Sequence, residues 1–213
     1  MRFHSASFHG LAIVNASPVA TVAYGYAAQE AYPFDPARAR TLLAEATGKD
    51  GPPSLELLFP TKHYGQAFDE TVPAVVEMLK DVGVPVNVKS LDFGTLLQTL
   101  TKGTLPPNGG FAACRTSNNL DADDFVRDWA TTTLVNWTPY PPDLMSLYGG
   151  TRRQVDPKKR LALLADLQRR VRDWVPVVSL YQEVKAYAHS TRVLRFVPTQ
   201  ELNMDFRGVA IKK

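Results

Sequence analysis

The chain has 213 residues, 45% of them hydrophobic and 21% charged, with a formal charge of +3. That length accommodates one large domain or two small ones with a real core, and the composition is that of an ordinary soluble protein. The basic residues are scattered rather than run together, so no nucleic-acid partner is expected and a membrane-surface partner has little support. No stretch is long and apolar enough to span a bilayer. The best apolar run near the start, Leu11–Val14, is too short for a secretory signal and Asn15 ends it, so the expectation is a chain that is internal or lacks its own beginning. Cys114 stands alone, which rules out an internal disulfide, and reads as a small buried hydrophobe ahead of a reactive thiol.

Residues 1–30 show no helical period and read as an extended, hinge-like segment with one strand around Leu11–Asn15. Organisation begins at Ala31, and 31–213 is expected to form the main domain. Asp35 and Pro36 make a helix start, because a carboxylate can cap free N–H groups and proline has none to satisfy at the first position. Leu42, Leu43 and Ala46 continue that helix and Gly48 ends it. Ser54–Phe59 reads as a strand, Ala67–Val82 as a helix, and the alternation of Val84, Val86 and Val88 as a second strand. Strand, helix, strand at this spacing predicts a parallel βαβ unit. A helix over Phe93–Lys102, a short strand over Gly110–Cys114 and a helix near Asp121–Thr132 follow. Asn136–Gly150, with three prolines and two adjacent glycines, reads as a long irregular loop. The longest helix starts at Asp156-Pro157 and carries Leu161, Leu164, Leu167 and Val171 at helical spacing. Val175–Tyr181 and Val184–His189 read as two strands, with a loop-rich tail beyond. The fold class is α/β, a mainly parallel sheet flanked by helices.

The chemistry-bearing residues are sparse. The histidines, His4, His9, His63 and His189, form no i, i+4 pair and have no cysteine cluster beside them, so no metal site is expected. There is no glycine-rich phosphate loop after a strand and no Gly-x-Ser-x-Gly, so neither a nucleotide cofactor nor nucleophilic catalysis is expected. Asp121, Asp123, Asp124 and Asp128 read as first-turn helix carboxylates rather than as a cation or amine site. The polar loop Arg115, Thr116, Ser117, Asn118 and Asn119 directly follows a predicted strand. Ligands of open α/β sheets bind beyond the carboxyl ends of strands, so this loop is either a ligand contact or an ordinary solvated connection.

Four segments together resemble the family-5 extracellular solute-binding proteins, which include dipeptide, oligopeptide, nickel and glutathione binders. They are Tyr32-Pro33-Phe34-Asp35-Pro36 through Leu42-Leu43-Ala44-Glu45-Ala46; Met78-Leu79-Lys80-Asp81-Val82-Gly83-Val84-Pro85-Val86; Asp121-Ala122-Asp123-Asp124-Phe125; and Asp156-Pro157 through Val175-Pro176-Val177-Val178-Ser179-Leu180-Tyr181. Their order and spacing agree with the family from about Ala31 to the C-terminus. The resemblance implies the C-terminal lobe of such a protein, of the periplasmic-binding-protein type II kind. It implies periplasmic or extracellular capture of a peptide-like or small polar solute, and delivery to an ABC permease without catalysis or cofactor.

Two departures shape that expectation. A cleft needs two walls and this chain supplies one, so closure around a solute calls for an N-terminal lobe or a second copy. The alternative is a truncated lobe acting as a protein-interaction or self-associating module. Peptide-binding members also carry a Trp-x-Ala-Asp stretch whose carboxylate receives the peptide amino terminus. Counting back from Phe125, Arg115 falls at the Trp position and Asn118 at the Asp position. A neutral amide there removes a charge-assisted bond, so the resemblance implies a solute other than a free peptide amino terminus, and Arg115 suits an acidic group.

Overall fold

A computed structural model of the chain describes residues 11–117, 119–127, 140–199 and 204–212. Their contacts divide into two units, one of residues 32–114 and one that joins residues 11–31 to those from Arg115 onward.

The first unit begins with helix α1 (Pro36–Thr47), started by the Asp-Pro step: the Asp35 carboxylate accepts from the Arg38 N–H at 2.9 Å and Pro36 occupies the first turn. Gly48 closes it at φ +58, a left-handed value that favours glycine. Strand β2 (Leu55–Pro60) is central in a three-stranded sheet of order β3-β2-β4, with β3 at Val86–Leu91 and β4 at Gly109–Phe111. Both neighbours run parallel to it, with Leu55 opposite Val86 and Glu56 opposite Gly109. The sheet is therefore parallel as expected, connected through helix α2 (Gln66–Asp81) and helix α3 (Phe93–Thr101). Alternation along β2 divides the core: Leu58 packs with Leu96 and Leu100 of α3, whereas Phe59 packs with Phe68 and Val72 of α2. Cys114 lies half-buried against the Phe59 cluster, the environment of a small hydrophobe. One expectation shifts: the second strand starts at Val86 rather than Val84, and Val88 stays 45% exposed on this edge strand.

The second unit is built around helix α6 (Pro157–Trp174). Its cap repeats the Asp-Pro step, with Asp156 accepting from the Lys158 and Lys159 N–H groups. Leu164, Leu167 and Val171 form a buried face with Val19, Phe125 and Val126. Helix α4 (Ala122–Val126) is short, and the remainder of the expected helix to Thr132 lies outside the described residues apart from Arg127. The stretch from Asn136 holds a correction. It was expected to be a loop to Gly150, yet helix α5 runs Pro142–Arg153. Pro142 sits where its missing N–H costs nothing. Leu144, Tyr148 and Thr151 recur at i, i+4 and i+7 and are buried, so tertiary burial outweighs the poor helix propensity of Gly149 and Gly150.

Both strands expected after α6 are corrected too. Val175 adopts φ +55 and terminates the helix, and only Gln182–Glu183 (β5) forms a ladder, antiparallel to Ala12–Ile13 (β1). A two-residue partner cannot support strands of six or seven residues. A second short antiparallel ladder joins Val193–Leu194 (β6) to Ala210–Ile211 (β7).

Candidate functional site

The loop from Arg115 to Asn119 leads into α4, and its polar atoms are organised by that junction. The Ser117 side chain is buried. Its Oγ accepts from the Leu120 N–H at 3.0 Å and the Asn119 N–H at 3.3 Å. Asn119 Oδ1 accepts from the Asp121 N–H at 3.1 Å. These side chains imitate backbone turns and hold Leu120 at φ +50, a left-handed conformation costly for a non-glycine residue. Asp121 is thereby delivered to the helix start, where it accepts from the Asp123 N–H at 2.9 Å.

Asp121 is also the anchor of a bidentate ion pair. Arg160 Nη1 and Nη2 each reach one of its carboxylate oxygens at 2.9 Å, and the guanidinium lies 5.7 Å from the Tyr24 ring centroid. Burial alone would raise the Asp121 carboxyl. The Arg160 guanidinium and the Asp123 N–H outweigh it and hold the group below its ordinary value. Capping and ion pairing account for this carboxylate, as the expected helix-capping role requires.

Arg115 donates to the backbone carbonyls of Thr116 and Asp124. Its guanidinium lies 3.9 Å from the Asp124 carboxylate, which Arg127 also approaches at 3.0 Å. The Asp124 side chain is 7% exposed and those of its two cations 39% and 46%, so the guanidinium groups lie nearer to solvent than the carboxylate they approach. Thr116 is exposed. Of the five expected contact residues, Arg115 and Thr116 thus present groups to solvent, Ser117 and Asn119 shape the turn, and Asn118 lies outside the described residues. His4 and His9 lie outside them as well.

The carboxyl ends of the parallel strands carry residues that the sequence reading assigned to no ligand contact. Thr61, Lys62, His63 and Tyr64 follow β2, and Asp92 and Phe93 follow β3. Their signal was positional: they come directly after strand ends, where parallel sheets hold ligands. Among the described residues, no group of three or more His, Cys, Asp or Glu could hold a metal ion, and no helix is long and apolar enough to cross a membrane.

The chain belongs to the bacterial extracellular solute-binding proteins, family 5, whose middle-region model matches residues 3–154. Among solved structures, it is similar to a dipeptide binding protein from Pseudoalteromonas sp. SM9913 in complex with Met-Leu, at 16% identity and a TM-score of 0.79, covering 99% of this chain and 42% of that one. It is also similar to the ABC transporter-associated periplasmic binding protein DppA from Helicobacter pylori in complex with the peptide STSA, at 18% identity and a TM-score of 0.76, covering 99% and 41%. HbpA2 from Haemophilus parasuis matches at 18% identity and a TM-score of 0.75, covering 97% and 41%. The chain therefore shares the type II binding-protein fold and spans about two-fifths of the length of those chains. No curated protein matches the sequence.

Proposed function

We propose that the chain is the substrate-binding lobe of a solute-binding protein that feeds an ABC importer. It captures a peptide-like or other small polar solute outside the cytoplasmic membrane and passes it to the permease, with no covalent step and no cofactor. The family match over residues 3–154 carries this reading. Arg115, Thr116, Ser117, Asn118 and Asn119 contact the solute. Ser117 and Asn119 set the shape of the loop, while Arg115, whose side chain is 39% exposed, offers its guanidinium to the solute. Such a site favours an acidic solute over a free peptide amino terminus. The opposite wall comes from a second lobe or a second copy. Calorimetric titration with Asp-Glu and with Ala-Leu tests this: the acidic dipeptide is expected to bind at least tenfold tighter, with the preference lost in Arg115→Ala. Equal or tighter binding of Ala-Leu would refute it.

A second reading, an interaction module, is favoured by one observation. Among the described residues beyond Trp174, ten large apolar side chains are exposed, from Val175 to Ile211, and none joins the buried core. Apolar side chains left at the surface can be covered by a partner. A ligand-free dimer in size-exclusion chromatography with light scattering would support this reading, and a monomer would count against self-association.

A further inference from the structure

We infer that His63, Tyr64 and Phe93 form a stacking platform at the carboxyl edge of the parallel sheet, which receives a planar π-bearing group of the solute such as an indole ring. The inference rests on the solute-binding reading and adds to it a second contact, made wholly of residues in the first unit.

The platform is assembled from two consecutive strand ends. The chain leaves β2 at Pro60 and turns sharply at Lys62, which adopts φ +57. A left-handed conformation is strained for lysine. The turn is held because the Lys62 N–H donates to both oxygens of the Asp69 carboxylate on α2, at 3.0 and 3.2 Å. That turn sets the His63 ring over Phe93, the first residue of α3, with centroids 3.8 Å apart and planes within 5°. Phe93 is itself fixed by the helix cap, in which Asp92 accepts from the Thr95 N–H at 2.9 Å. The Tyr64 ring meets His63 edge-on at 4.6 Å and Phe68 edge-on at 4.9 Å, linking the platform to the buried Phe59 cluster. Burial pushes the Tyr64 phenol up, with the Cys114 thiol adding to the effect, so Tyr64 is a neutral hydroxyl beside the rings.

His63 is exposed. An aromatic ring stacked face to face at a water-facing strand end gains little as core. Its value lies in the π-surface it presents, on which stacking of a planar group contributes beyond the burial of area. A parallel sheet takes its ligands at this edge, and the strained Lys62 is the kind of outlier that accompanies binding sites.

Proton NMR of the full chain tests the platform directly, because there are only four histidines and His63 is assigned by comparison with His63→Ala. The probes are Trp-Leu, Ala-Leu and N-acetyl-tryptophanamide. Trp-Leu is expected to shift the His63 ring protons by ring current and to bind at least fivefold tighter than Ala-Leu. His63→Ala is expected to remove that preference, and His63→Phe to retain it. If both dipeptides bind equally and the His63 signals stay still, the platform is wrong and the solute-binding reading stands. If only N-acetyl-tryptophanamide shifts His63, the platform stands and the solute is one without a free amino terminus. If no probe binds or moves His63, the platform is overturned, while binding of Asp-Glu in the calorimetric titration decides the solute-binding reading separately.

Discussion

The two units of the chain are stabilised by different means. In the first, polar backbone is satisfied by the parallel ladder, and apolar side chains alternate to either side of β2. In the second, the strands are only two residues long, and loops are fastened to α6 by side chains. Gln168 is the clearest case. It is fully buried, and its amide makes four bonds: Nε2 donates to the carbonyls of Gly25 at 2.7 Å and Leu164 at 2.9 Å, while Oε1 accepts from Ser17 Oγ and the Ala27 N–H, each at 3.0 Å. A polar side chain thus does in the second unit what a sheet ladder does in the first. Where a fold lacks regular pairing, single side chains become essential.

Removing that side chain is the largest break available. Gln168→Ala leaves the buried Ser17 hydroxyl and the part-buried Ala27 N–H and Gly25 carbonyl without their partner, and a buried group left unsatisfied costs roughly 1–3 kcal/mol. A loss of about 4 kcal/mol is expected in urea melts followed by circular dichroism. A loss under about 1 kcal/mol would mean that water replaces the amide and that the contrast between the units is false.

Gly25→Ala attacks the same fastening through the backbone. Gly25 sits at φ +83, and an added Cβ would lie 2.7 Å from Leu164 Cδ1 and 3.2 Å from Ala122 Cβ. The left-handed penalty is about 1–2 kcal/mol, and the contact with α6 adds to it, so about 2–3 kcal/mol of destabilisation is expected by the same measurement.

These fastenings explain what the sequence made legible. The βαβ order, the Asp-Pro helix starts and the apolar stripe of α6 could be read because each follows a local period or a cap. The Gln168 network could not, since Ser17 and Gln168 are 151 positions apart and glutamine on a helix ordinarily reads as surface. Helix α5 was hidden by Pro142, Gly149 and Gly150, whose propensities point to a loop until burial of Leu144 and Tyr148 is known. At the loop Arg115–Asn119, sequence position pointed to ligand contact, but the turn made by Ser117 and Asn119 depends on backbone geometry that composition does not encode. The His63–Phe93 stack joins the ends of two strands and was equally hidden.

Acid sharpens the comparison with a smaller effect. The Asp121 carboxyl titrates below its ordinary value of 3.8 in the folded chain, because Arg160 and the Asp123 N–H together overcome the opposing effect of burial. A depressed carboxyl contributes stability that is present above the unfolded value and is lost as pH falls through the folded one. Stability should therefore decline below about pH 4, and Asp121→Asn should flatten that part of the decline. An unchanged pH slope in Asp121→Asn would show that the Arg160 pair contributes nothing to it.

The smallest effect compares the same motif in both units. Asp35 and Asp156 each precede a proline and cap a helix, but α1 has no buried residue, whereas α6 buries Leu164, Leu167, Gln168 and Val171. A lost cap costs on the order of 1 kcal/mol, but global stability registers it only when the helix end cannot fray independently of the core. Asp156 also serves two N–H groups where Asp35 serves one. Asp156→Ala is therefore expected to lower global stability by about 1 kcal/mol, and Asp35→Ala by less than about 0.5 kcal/mol while accelerating amide exchange in the first turn of α1. Equal global losses would mean that α1 is as tightly coupled to its unit as α6 is, despite an exposed surface on every turn.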